Sequence, residues 1–237
     1  MKKILATSIA IGFVSFATIV SGTPIDQTGN LINNGSFEFG SLDPVVSSNG
    51  VYSGPSAADN WRQWINSDRK SGSLTTELLT NSEMQSNFGV GVIDGDRAFR
   101  VTTSGGWDGA FSMESYHTPG WDTGAELTFS AWVYTISGTL GLFNGSNQDG
   151  FESARSTTNG SWEFLSVSID GGRLNNEPLL YSVDGAADFI VDSAWLNYGD
   201  TTANPSAPVP EPATMLLFGT GILGLVGYKR KRFNEKK

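Results

Sequence analysis

The chain has 237 residues, 38% hydrophobic and only 16% charged, with 29 glycines and 11% aromatics, enough for one turn-rich β domain with a sizeable core. It has no cysteine and one histidine, which excludes disulfides, thiolate or multi-histidine metal sites and a cysteine nucleophile. Between residues 23 and 212 seven basic groups stand against 23 acidic ones, a net of −16, and a field of that sign repels phosphate backbones and excludes nucleic acid as a partner.

Residues 1–22, MKKILATSIAIGFVSFATIVSG, read as a signal peptide. Lys2 and Lys3 form the positive region, residues 4–20 the apolar core, and small residues mark its exit. The alternative is an uncleaved N-terminal anchor. A β domain is expected over residues 23–199. It opens with NLINNGSFEF at 30–39, which reads as a short strand, a turn at Asn34-Gly35 and a second short strand. Residues 40–72 read as loop, interrupted by Trp61 and Trp64. Strands are expected over 73–79, 98–103, 109–115 and 126–135, the last with Leu127, Phe129, Ala131 and Val133 on one side. More follow at 138–143, at 162–169 with Trp162, Phe164 or Leu165, Val167 and Ile169 alternating, at 179–181 and at 189–198. No internal stretch offers a long amphipathic helix. About eight short strands between Gly, Asn and Asp turns make a sandwich or barrel. Residues 200–208 read as a flexible linker.

The chain closes with VPEPATMLLFGTGILGLVGYKRKR, residues 209–232. Its apolar helix, 213–228, spans roughly 24 Å, short for a hydrocarbon core of about 30 Å. The basic cluster 229–232 belongs on the cytoplasmic side. Pro210, Glu211 and Pro212, the glycine-rich apolar run and the basic cluster together resemble the PEP-CTERM sorting signal. That resemblance implies a Gram-negative exporter and an exosortase-type processing enzyme as partner. It also implies a transient stay in the inner membrane, removal near 210–212, and a destination at the cell surface, outer envelope or extracellular matrix. A permanent one-pass protein is the alternative.

The middle carries a second resemblance, over about residues 30–198. NLINNGSFEFG, ELTFSAWVYTISGTLGLF, SWEFLSVSI and FIVDSAWL resemble the galactose-binding-like carbohydrate-binding modules. This implies a jelly-roll β-sandwich, polysaccharide as partner, and a structural calcium ion (Ca2+) between first and last strands. The matching carboxylates are Glu38 and Asp192, in the hard-oxygen chemistry calcium takes. They are otherwise solvated or paired with arginines. VIDGDRAF, at 92–99, lacks the spacing of a helix-loop-helix calcium site and reads as an acidic turn into a strand with Phe99 and Val101.

Sugars stack on flat apolar rings with polar groups at the edge. Trp61, Trp64, Trp107, Tyr116 and Trp121 lie in polar, glycine-rich contexts and are the candidate ligand-binding residues. Filling the core or covering its ends is the alternative for each. Trp107-Asp108 and Trp121-Asp122 set a ring beside a carboxylate. Trp132, Trp162 and Trp195 sit in strand patterns, where a core or rim role is more natural. Catalysis is not expected: Gly-X-Ser-X-Gly and His-Glu-X-X-His are absent. Glu114 near His117, and Asp122, have no spacing that marks an acid and a base. The expectation is an exported, non-catalytic surface or matrix protein that binds polysaccharide. A purely structural matrix protein without a ligand and a divergent glycan hydrolase are the alternatives.

Overall fold

The computed structural model describes residues 29–48, 53–65, 72–105, 108–112, 127–144, 153–169, 178–183 and 185–199, all within the compact unit Ser21–Pro208. Twelve strands and one helix make up these residues. They are β1 (Val45–Ser48), β2 (Ser53–Pro55), β3 (Trp61–Trp64), β4 (Ser73–Thr80), α1 (Asn81–Phe88), β5 (Arg97–Thr103), β6 (Gly109–Ser112) and β7 (Leu127–Ser137). Then come β8 (Leu140–Asn144), β9 (Ser153–Arg155), β10 (Trp162–Ile169), β11 (Pro178–Ser182) and β12 (Ala187–Tyr198). They form two six-stranded sheets, ordered β1-β4-β5-β12-β7-β10 and β2-β3-β6-β11-β8-β9. Every pairing between these strands is antiparallel.

Alternation decides which face of each strand turns inward. From the first sheet come Leu74, Leu78, Phe99, Val101, Leu127, Phe129, Ala131, Val133, Phe189 and Val191. The second sheet answers with Trp61, Ala110, Leu140, Leu142 and Leu180. The central strand β12 is buried along most of its length on both faces, because the first sheet has a second, smaller apolar cluster outside. There Met84 of α1 packs with Leu79, Val92, Ala98, Tyr134 and Ile190. α1 begins with a capping box: the Thr80 hydroxyl accepts from Glu83 N–H, and the Glu83 carboxylate accepts from Thr80 N–H.

The expected jelly-roll β-sandwich is present, and the strands expected from residue 73 onward appear with shifted ends. Several details differ. Residues 30–37 are turns rather than a hairpin, with Asn34 and Phe37 at positive φ (55° and 58°). Their backbone joins the last strand instead, Leu31 N–H donating to Leu196 O and Ala194 N–H to Gly35 O. Residues 40–72 are not all loop, since they contribute β1, β2 and β3; these are only three or four residues each and too short for a visible alternation. In β10 Leu165 and Val167 face the core. Trp162 stands on the other side against Tyr134, and Phe164 against Trp132. The shared side expected for Trp162 and Val167 is therefore wrong, because the 162–165 spacing is odd and alternation has period two.

The signal peptide 1–22, the linker 200–208, the apolar helix 213–228 and Pro210, Glu211 and Pro212 lie outside the described residues. So do Trp107, Glu114, Tyr116, His117, Trp121 and Asp122. Among the described residues no helix is long and apolar enough to cross a membrane.

Candidate functional site

The outer face of the second sheet carries a row set by strand register alone. Trp64 of β3 stands opposite Gly109 of β6, and Gly109 opposite Tyr181 of β11. Tyr181 faces Gly141 of β8, and Gly141 faces Arg155 of β9. The row therefore reads Trp, Gly, Tyr, Gly, Arg across five neighbouring strands. At about 4.8 Å per strand it spans roughly 19 Å. Gly141 gives the Tyr181 ring room: a Cβ there would lie 2.5 Å from it. Tyr181 is fully buried and packs against Phe143 and Val183, so it builds the floor. Trp64 is half-buried and Arg155 exposed, and these are the accessible ends.

Trp61 occupies a different place. It is 2% exposed, its ring 5.0 Å from Phe37 and 6.0 Å from Phe99, and its indole N–H donates to Asn34 O. Both ring faces are inside the core, so the expected stacking on a ligand is corrected for this residue. Three positions separate it from Trp64, an odd step that places the two rings on opposite sides of β3. Asp108 is also inside: it is 2% exposed, and a Cβ on Gly72 or Gly105 would come within 2.9 Å of its carboxylate. It does not present an acid beside Trp107 at the surface. Tyr181 and Arg155 were not singled out from the sequence. Only the pairing of distant strands brings them into line with Trp64.

Glu38 and Asp192 meet the same loop, residues 92–97, from two sides. One Glu38 oxygen accepts from the backbone N–H of Asp96 at 2.8 Å and of Arg97 at 3.0 Å. One Asp192 oxygen accepts from Ile93 N–H at 2.7 Å and Asp94 N–H at 3.0 Å, and the other from Ser193 N–H at 2.7 Å. Burial pushes Asp192 well above the usual carboxylate range, with Asp94 adding to the rise and the amide bonds opposing it. Burial likewise raises Glu38, opposed by its two amide bonds and helped by Asp96 and Asp94. The VIDGDRAF turn is thus an acidic turn into β5, and it is also the joint between the start and the end of the domain. The groups this loop turns toward the two carboxylates are amide N–H donors. No three acidic or histidine side chains gather closely enough to hold a metal among the described residues.

Two six-stranded antiparallel sheets over one core define a β-sandwich of the jelly-roll class. The PEP-CTERM protein-sorting motif matches residues 208–231, and so marks the chain for export through a membrane-anchored intermediate. No curated protein matches the chain. Among solved structures it is similar to the CBM22-1 xylan-binding domain from Paenibacillus barcinonensis Xyn10C. That likeness has 12% identity and a TM-score of 0.40, and covers 69% of this chain and 99% of that one. It is also similar to the C-terminal family 22 carbohydrate-binding module of Clostridium thermocellum Xyn10B, with 13% identity, TM-score 0.41 and coverage of 73% and 99%. A third is TmCBM61 in complex with β-1,4-galactotriose, with 12% identity, TM-score 0.39 and coverage of 72% and 99%.

Proposed function

We propose that the chain is an exported, non-catalytic surface or matrix protein that binds a neutral polysaccharide along the outer face of its second sheet. The observation that carries this reading is the row Trp64–Gly109–Tyr181–Gly141–Arg155. It has a half-buried ring at one end and an exposed cation with five N–H donors at the other, with Gly109, Tyr181 and Gly141 buried between them. The row has no carboxylate or histidine to serve as general acid or base. Trp107, Tyr116 and Trp121 complete the proposed ligand set. Trp107 precedes Gly109 by two residues, and the other two lie in the connection from β6 to β7. A calcium ion held by Glu38, Asp192 and backbone carbonyls is the proposed tie between the domain's two ends. It would neutralise a buried carboxylate and would stabilise only the folded form.

The test is binding of the full chain to a panel of polysaccharides, with and without calcium. Trp64→Ala is expected to weaken binding about tenfold, and binding to none would sink the reading. The calcium proposal fails if a chelator leaves the melting temperature unchanged. In the absence of any binding, the purely structural reading gains, and the burial of Trp61 already favours it at that position.

A further inference from the structure

Next to β3 the chain forms a second outward-facing feature. Residues 39–41 pair with residues 57–59 around the antiparallel bridge of Gly40 and Ala58. Asp59 N–H donates to Phe39 O, and Ser41 N–H to Ala57 O. Directly opposed residues of an antiparallel pair project to the same side. Ala58 faces the core, and a Cβ on Gly40 would meet Leu78 there. Phe39 and Asp59, opposed across this pairing, are both exposed and project together away from the core.

Phe39 is 67% exposed. A single exposed ring needs no explanation, but this one is held in place. The Asn34 side chain donates to Phe39 O at 2.8 Å and to Asp59 O at 2.9 Å, and accepts from Phe39 N–H at 3.0 Å. One side chain thus clamps both residues whose side chains point outward. The following turn is fixed as well, the Ser56 hydroxyl contacting the carbonyls of Ala58 and Trp61. Beside Asp59 lies an open depression of about 330 Å³, lined by Pro55, Ser56, Asp59, Asn60 and Arg62 among others. That volume is at the lower end of small-molecule sites, about 300–1,000 Å³.

We propose that the Asp59 carboxylate, which lines this depression, and the Phe39 ring paired opposite it form a subsite for one neutral pyranose unit. Its C–H face lies on the phenyl ring, and two neighbouring hydroxyls donate to the Asp59 carboxylate. This rests on the polysaccharide reading and extends it, because Arg62 lines the depression and shares the outer side of β3 with Trp64. The acidic excess of the chain selects neutral over anionic sugars. An already ordered backbone lowers the entropic cost of capturing the ligand.

Affinity electrophoresis of the full chain through gels containing mixed-linkage β-glucan, xylan, β-1,4-galactan or galactomannan tests this. Wild type is expected to be retarded by at least one gel. Phe39→Ala and Asp59→Asn should each weaken that binding about tenfold, the first through lost ring contact and the second through lost charged hydrogen bonds. Phe39→Tyr should retain it. Both altered residues are exposed, so melting temperatures should match wild type. Full-strength binding by Phe39→Ala and Asp59→Asn overturns the subsite and leaves the polysaccharide reading standing. Loss on Trp64→Ala alone assigns binding to the sheet face and also overturns the subsite. No retardation of wild type on any gel overturns both.

Discussion

Asp192 shows how one residue ties together parts of the chain that sequence keeps far apart. Its carboxylate is buried in the middle of β12 and accepts three backbone N–H groups, two of them from Ile93 and Asp94. Asn has nearly the same shape but replaces one acceptor oxygen with a donor that would face these amides. Asp192→Asn should therefore destabilise the protein by about 1–3 kcal/mol, read as a lower urea midpoint with an unchanged slope. Glu163 offers a second, pH-dependent check. Burial raises its pKa, but hydrogen bonds from the Thr157 hydroxyl and the Thr157 and Thr158 amides outweigh this and bring it below the ordinary 4.5. A carboxylate depressed in the fold contributes stability that is complete above its unfolded value and is lost as pH falls through the folded one. The stability gap between wild type and Glu163→Gln should be largest near neutral pH and close on acidification below about pH 4. A gap independent of pH would show that Glu163 acts by shape alone. From the sequence, Glu38 and Asp192 were expected together only as calcium ligands, by resemblance. Their attachment to the 92–97 loop was not legible, since nothing local in FIVDSAWL indicates contacts nearly a hundred residues upstream.

At the scale of elements, the N-terminal segment stands out for holding its place without regular pairing. Asn30 donates from its side chain to Ala194 O and accepts from Ile32 and Leu196 N–H. Gly35 lies against the irregular stretch of β12, where the register with β7 shifts between Asp192 and Trp195. A Cβ at Gly35 would fall 2.1 Å from Ala194 O, a backbone atom that cannot rotate away. Gly35→Ala should therefore push the segment off β12 and cost about 1–3 kcal/mol, seen as a lower melting temperature by circular dichroism. A wild-type melting temperature would show that the contact is not needed. NNGSFEF resembled a hairpin because Asn-Gly is a strong turn signal, yet Asn34 and Phe37 take positive φ and the flanks pair elsewhere. The longer strands were legible because six or more alternating residues expose a period of two, as in ELTFSAWVYT. β1, β2, β3 and β9 are three or four residues long and offer too few alternations. α1 was missed for a similar reason. In NSEMQSNF only Met84 and Phe88 mark an apolar face, and its one clear signal, Thr80 followed by Glu83, sits at the end of a strand pattern. The proposed ligand row was legible only in part. Trp64 was visible as an aromatic in a polar stretch, whereas Gly109, Gly141, Tyr181 and Arg155 acquire meaning only from cross-strand register.

For the whole molecule, charge is sorted along the chain in a way the sandwich does not require. Eight of the 15 basic residues lie before residue 23 or after residue 212, leaving the part between them strongly acidic. Basic groups beside apolar segments are the pattern that holds a targeting segment at the cytoplasmic face, while an acidic domain has no attraction to anionic headgroups. The motif at 208–231 supplies the specific part of this arrangement. Its apolar stretch is short for a stable span. Replacing Pro210, Glu211 and Pro212 together by alanine leaves both the apolar run and the basic cluster intact. Anchoring should therefore survive while recognition is lost. In a host that carries the processing enzyme, the triple variant should accumulate in the inner membrane at full mass after signal removal. Wild type should appear at the surface without its C-terminal segment. Intact-mass measurement on fractionated cells distinguishes the two. A variant processed and delivered like wild type would mean that the apolar and basic parts suffice as the address, and that the three residues are dispensable to it.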